Sequence, residues 1–195
     1  MKFNDGIGLS LCLAFMLSIT PTLSQATPGE TQTGQTLPKV NLRGLNTPNQ
    51  SLAGWLGKPL LINVWASWCI PCRQEMASII RLKQTYAGQK FNIIGISTDD
   101  YLERAQRFVT QFGLGLPNYI DQDLDLEKIL GADRLPLTVL VNAQGVVLAK
   151  YYGSREWDDP EALAYIEGLF RLRLRGLRLS PSNSSGVRIF ATRAN

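Results

Sequence analysis

Cys69 and Cys72 are separated by two residues in Trp68-Cys69-Ile70-Pro71-Cys72, directly after the apolar run Leu60-Leu61-Ile62-Asn63-Val64-Trp65. The run reads as a buried strand and the residues from Ile70 onward as a helix, so the thiols sit one helical turn apart where strand passes to helix. At that spacing the sulfurs can close a disulfide. The first also lies over the free N–H groups and positive dipole end of the helix, which stabilise a thiolate. The chemistry implied is thiol–disulfide exchange. A zinc site would need about four N/S/O ligands, but the only other cysteine is Cys12 and there is no histidine. A structural bridge over two residues would close too small a loop to gain much chain entropy.

The elements that must position this pair follow from the periodicity. Ile70–Tyr86 is predicted as a helix with Cys72, Met76, Ile79 and Tyr86 on one face, and Phe91–Ile96 as a second buried strand. Tyr101–Phe112 reads as an amphipathic helix, and Leu124–Leu130 as a short one stopped by Gly131. Leu137–Val141 and Val146–Tyr152, joined by Asn142-Ala143-Gln144-Gly145, form a hairpin pattern, and Pro160 opens a last helix. Alternating strands and helices closed by a hairpin predict an α/β fold with a central mixed β-sheet flanked by helices.

At 195 residues with 45% hydrophobic content, the chain can bury one good core and is too short for two ordinary domains. The net charge of +4 is unevenly placed: residues 171–195 hold six arginines and no acid, whereas residues 27–170 hold 13 basic and 15 acidic side chains. No nucleic-acid partner is expected of so mildly acidic a core. Residues 1–26 read as a signal peptide: Lys2, an apolar stretch from Gly6 to Ile19, and Ser24-Gln25-Ala26 with small residues at the −3 and −1 positions. That stretch is short for a membrane span, so the expectation is export and cleavage, with an uncleaved anchor as the alternative. Leu11 before Cys12 argues against lipidation. After cleavage the only two thiols would be the pair in question, which suits a redox agent better than a disulfide scaffold. Residues 27–36 are polar and rich in Thr, Gln, Gly and Pro and read as a flexible linker, leaving 37–170 as the domain.

The residues then carry a resemblance. Asn63-Val64-Trp65-Ala66-Ser67-Trp68-Cys69-Ile70-Pro71-Cys72-Arg73-Gln74-Glu75 resembles the active-site segment of thioredoxin-like disulfide oxidoreductases of the TlpA/ResA/CcmG type, which carry a redoxin-like domain. Ile94-Gly95-Ile96-Ser97-Thr98-Asp99 is similar to that family's next core strand and turn, and Arg134-Leu135-Pro136-Leu137 to its cis-proline stretch. Gly57-Lys58-Pro59 fits as well, so the resemblance spans 37–170. It implies a thioredoxin-like fold and no cofactor or metal. Ala77 stands where thioredoxins often place a kinking proline, Leu137 where the family often has Thr, and Asn63 where thioredoxin has a buried Asp.

The site roles follow in part from position and in part from that resemblance. Cys69, at the helix start, is expected to attack, and Cys72, one turn in, to resolve. Trp68 is expected to flank the sulfur as an apolar docking surface for substrate. The resemblance implies that Pro136 is cis and faces the pair, with the backbone of Leu135 offered to an extended substrate strand. Asn63 cannot take a proton, so that task passes to Glu75, which shares the side of Cys72 three residues on. From the residues alone Glu75 reads as an ordinary solvated helix glutamate; related proteins of the ResA type place a functional Glu there.

Ile70 and Pro71 offer no charge to the thiolate, which favours a reductant over a strong oxidant. The resemblance implies a protein-disulfide reductase in the periplasm or otherwise exported. Its clients would be oxidised proteins, apocytochrome c among them, and its electrons would come from a membrane thiol carrier of the DsbD/CcdA type. A peroxiredoxin-like peroxidase is disfavoured by Ala66 and Ile62 where its hydroxyl residue and proline would stand, and a copper chaperone of the Sco type by the lack of histidine. A binding module that holds client thiols without turnover is the non-enzymatic alternative. The stripe Leu163, Ile166, Phe170, Leu174 and Leu177 beside Arg171, Arg175 and Arg178 predicts that the last helix continues into 171–195 as a basic extension before a disordered tail. Such an extension could touch an anionic membrane surface.

Overall fold

The computed structural model describes residues 28–86, 88 and 90–173. The expected leader, including Cys12, and the tail from 174 onward lie outside them. Among the described residues no helix is long and apolar enough to cross a membrane.

A seven-stranded mixed sheet carries the fold. Its strands are β1 (Asn41–Gly44), β2 (Gln50–Ser51), β3 (Leu60–Trp65), β4 (Asn92–Ser97), β5 (Asn118–Ile120), β6 (Leu137–Val141) and β7 (Val147–Tyr152), in the spatial order β2-β1-β5-β4-β3-β6-β7. β3 lies in the interior of the sheet, parallel to β4 and antiparallel to β6, with Leu60 opposite both Asn92 and Val141. All six of its residues are buried, which is why it reads as an apolar run and not as an alternating one. Helices α1 (Ile70–Tyr86), α2 (Leu102–Gln111), α3 (Asp125–Leu130) and α4 (Pro160–Phe170) cover the sheet.

Two apolar cores follow from the pleat. Leu61 and Trp65 point into one with Met76, Ile79, Phe108, Trp157 and Ile166; Leu60, Ile62 and Val64 point into the other with Leu126, Leu130 and Val139. By the same alternation Asn63 faces the α1 side. Trp65 stacks on Phe108 at 4.8 Å and donates its indole N–H to Asn118 Oδ1 at 3.3 Å. Gly95 makes room for that contact: a Cβ there would sit 2.1 Å from Asn118 Oδ1 and 2.8 Å from Trp65 Nε1. The last strand residue before the active-site turn is thereby locked in place.

The helix and hairpin expectations are met to within a residue or two. α3 ends at Gly131, whose φ of 74° is left-handed, and Asp159 caps α4 by accepting the Ala162 N–H at 2.6 Å, with Pro160 at the first position.

Two expectations are corrected. Residues 28–36 do not form a free linker: Thr31 N–H donates to Ile129 O and Gly34 N–H to Val147 O, both at 2.8 Å, Thr36 pairs with Val146, and Glu30 meets Lys150 in a largely buried ion pair. Polar composition hid a segment held by backbone bonds and one charge pair. The last helix does not run on through Arg171: that residue is left-handed at φ 52°, its N–H closing on Glu167 O, and α4 stops at Phe170. Leu172, which is not part of the expected stripe, packs against the core that holds Met76 and Ile79, and the stripe's Leu174 and Leu177, with Arg175 and Arg178, lie outside the described residues.

Candidate active site

The turn between β3 and α1 places the two cysteines. Cys69 N–H donates to Ala66 O at 3.1 Å, and α1 begins at Ile70. Pro71 falls in the first helical turn, where its missing N–H costs nothing. Cys69 and Cys72 are joined as a disulfide with Cα atoms 5.3 Å apart. The Cys72 backbone N–H donates to Cys69 Sγ at 3.2 Å, so a helix-end donor is aimed at the sulfur expected to become the attacking thiolate. Cys72 is fully buried, while Cys69 keeps 4% of its surface and lines an open groove of about 600 Å³.

That groove brings together most of the residues expected to meet substrate. Trp68, 65% exposed, Ile70 and Pro71 form one wall, and Leu135, Ala132 and Leu124 another, with Thr98, Asp100, Glu127 and Asp133 at its polar margins. The Leu135–Pro136 peptide is cis, as the resemblance implied. Pro136 is buried and its carbonyl is taken by the Gly153 N–H at 2.9 Å, whereas half-buried Leu135 reaches the groove.

The turn has an anchor that the sequence did not disclose. Asp99, 1% exposed, accepts from the Ser67 N–H at 2.9 Å, from Ser67 Oγ at 2.6 Å and from Ser97 Oγ at 2.8 Å. It ties the end of β4 to the residue two before Cys69. The only hint in the sequence is the spacing Ser97-Thr98-Asp99 at a strand end, a pattern common to many turns.

Glu75 is not a solvated helix glutamate. It is 1% exposed, and Asn63 Nδ2 donates to its Oε1 at 2.8 Å while Trp157 Nε1 (3.1 Å) and the Arg155 N–H (3.4 Å) donate to its Oε2. Desolvation raises its pKa from 4.5 to about 7; the bonds from Asn63, Trp157 and Arg155 oppose that shift without cancelling it. The carboxyl therefore titrates near neutrality, where a proton acceptor is useful. Asn63, which also donates to Thr138 Oγ1 at 3.3 Å, orients the carboxylate and takes no proton.

Neither Trp157 nor Arg155 was foreseen. The Arg155 guanidinium packs over Tyr151 at 5.0 Å and Trp157 at 5.5 Å and meets Glu161 at 3.4 Å, which holds the 153–158 loop on Glu75. Ser78 Oγ adds a tie by accepting the Trp157 N–H at 3.0 Å. No cluster of candidate metal ligands occurs among the described residues.

Comparison with known proteins supplies the family context for this geometry. The Redoxin family profile matches residues 32–166. The thiol-disulfide oxidoreductase ResA of Halalkalibacterium halodurans is 33% identical over 97 residues, which are 50% of this chain and 55% of that protein. ResA of Geobacillus thermodenitrificans is 29% identical over 126 residues, 65% of this chain and 72% of that protein. The thioredoxin domain of a thiol-disulfide oxidoreductase from Bacteroides vulgatus has the same fold, with a TM-score of 0.62 at 21% identity over 71% of this chain and 98% of that one.

Proposed function

The chain belongs to the Redoxin family and is a thiol–disulfide oxidoreductase, and from that premise we propose that it works outside the cytoplasm as a reductant of protein disulfides. The observation that carries this reading is the asymmetry of the pair, with Cys69 open to the groove and Cys72 sealed beneath it. In the reduced protein the Cys69 thiolate attacks one sulfur of a client disulfide, forming a mixed disulfide and expelling the other client sulfur as a thiolate. Cys72, losing its proton to Glu75, then attacks Cys69 Sγ; the second client thiolate leaves and the Cys69–Cys72 disulfide is restored. Two electrons pass to the client, and the proton on Glu75 is released for the departing thiolates. The carboxyl suits this exchange because it is half-ionised near pH 7.

Export rests on the leader pattern of residues 1–26. Trp68 and Leu135 offer an apolar cleft to an extended client strand, apocytochrome c being the client class that the resemblance to ResA-type proteins suggests. A membrane thiol carrier of the DsbD/CcdA kind would return the electrons. The reducing direction follows from Ile70 and Pro71, which give the thiolate no charge, so the potential should lie below about −200 mV.

The test is a trap. Cys72→Ser should accumulate client mixed disulfides that collapse on reduction, and Cys69→Ser should accumulate few. Equal trapping by both variants, or by neither, would refute the assigned roles. Turnover of a model disulfide with excess reductant separates the enzyme from a module that merely holds thiols, because a holder exchanges once per molecule.

A further inference from the structure

A second concavity adjoins the active-site turn. It is lined by Ser67, Arg73, Arg104, Arg107, Phe108 and Gln111 and holds about 190 Å³, some six water volumes, which is room for one or two carboxylate side chains. Ser67 stands two residues before Cys69 and Arg73 directly after Cys72, so a segment seated there is held beside the active-site turn, although neither cysteine lines the pocket itself. A shallow continuation is lined by Tyr101, Glu103, Arg104 and Arg107.

The three arginines run against the charge of their surroundings. Residues 27–170 are mildly acidic, yet Arg73, Arg104 and Arg107 converge on exposed surface, and none of them forms a salt bridge among the described residues. Two of the heads are placed by aromatic rings: Arg73 lies 5.5 Å over Phe112 and Arg104 4.8 Å over Tyr101. Ring stacking fixes a guanidinium while leaving its N–H fork available to a carboxylate. Glu103 is the single acid lining this surface among the described residues, so three positive heads outnumber it, and an incoming carboxylate relieves their mutual repulsion.

We propose that the Arg73–Arg104–Arg107 pocket is a docking site for the client, receiving an acidic segment that flanks the client's cystine. The proposal rests on the reductase reading above and adds a substrate class to it: disulfides with Asp or Glu a few residues to one side. The pocket steers and orients such a client so that its disulfide meets Cys69, raising the rate of attack and not the chemistry of resolution.

The experiment compares synthetic peptides with one intramolecular cystine, flanked before or after by Glu-Glu-Asp or by Gln-Gln-Asn, reduced by the pre-reduced full protein. At low ionic strength an acidic peptide should be reduced roughly tenfold faster than its neutral twin, an advantage that about 0.5 M salt removes. In R104E/R107E that preference should vanish, while reduction of the neutral peptide stays within about twofold and so shows that the variant is folded and redox-active. R104Q/R107Q should give an intermediate preference. Equal rates on acidic and neutral peptides with the unaltered protein, or a preference that survives R104E/R107E, would overturn the docking site. Failure to reduce any peptide would instead strike at the reductase reading.

Discussion

Replacing Glu75 by Gln keeps the shape of the side chain and removes its titration, and the consequence can be worked in advance. In the unfolded chain the carboxyl ionises near 4.5; in the folded protein, desolvated against Asn63 and Trp157, it holds its proton until about 7. Between those values the folded state carries more protons than the unfolded one, so stability falls as pH rises, and it levels off above 7. At about 1.4 kcal/mol per pH unit the total loss is about 3 kcal/mol. Glu75→Gln should abolish that slope. The variant would gain on the native protein by about 3 kcal/mol between pH 4.5 and 8, on top of a constant offset, the same at every pH, because Asn63 must turn its amide to meet the new NH2 group. The chain has no histidine to titrate in this window. Burial also raises Asp121 and Glu127, and both cancel when the variant is subtracted from the native protein. Urea unfolding of the oxidised forms at half-unit pH steps measures the difference. Parallel pH profiles for the two proteins would refute the claim that Glu75 is the buried titrating carboxyl. If Glu75 also takes the proton of Cys72, the release step in the variant should slow by roughly a hundredfold near pH 7. Unchanged kinetics from pH 5 to 9 would leave it a structural residue only.

Three further outcomes are expected. Trp68→Ala should leave stability within about 0.5 kcal/mol, because the ring is mostly exposed, yet slow reduction of protein disulfides and spare small ones; equal effects on both would remove Trp68 from the docking surface. Asp99→Ala deletes the acceptor of three bonds and should cost about 3 kcal/mol in denaturant unfolding while slowing thiol exchange, so an unchanged midpoint would contradict its anchoring role. Gly95→Ala should destabilise by about 2 kcal/mol or more and disturb the near-UV signal of Trp65, since its Cβ would collide with Asn118; wild-type unfolding would show that the sheet yields there.

The parts of the fold visible in the sequence were those whose signal is local. β3, α1 and the β6–β7 hairpin each lie in a window where periodicity, an Asn-Ala-Gln-Gly turn or a helix-start proline speaks for itself. β1 and β2 escaped notice because four and two residues of mixed burial carry no periodicity, and their pairing with β5 and each other is decided far along the chain. The same holds for the site. Cys69, Cys72 and the Leu135–Pro136 peptide were legible from motifs, but the environment of Glu75 is not. Its indole donor is 82 residues away and its loop donor 80, and nothing near position 75 announces a desolvated carboxyl. Residues 28–36 looked like a linker because their attachments are backbone bonds and the Glu30–Lys150 pair, to which composition is blind.

Both cysteines belong to the same packed cluster as Trp65, Met76, Phe108 and Trp157. The redox couple is therefore one edge of a thermodynamic cycle whose other edge is folding. Any substitution in that cluster that stabilises the dithiol form more than the disulfide form by 1.4 kcal/mol must raise the potential by about 30 mV, and the reverse substitution must lower it equally. Evolution can thus tune the driving force of this protein from residues that never touch a client. Potentials measured across a series of core variants should fall on a line of that slope against their reduced-minus-oxidised stabilities.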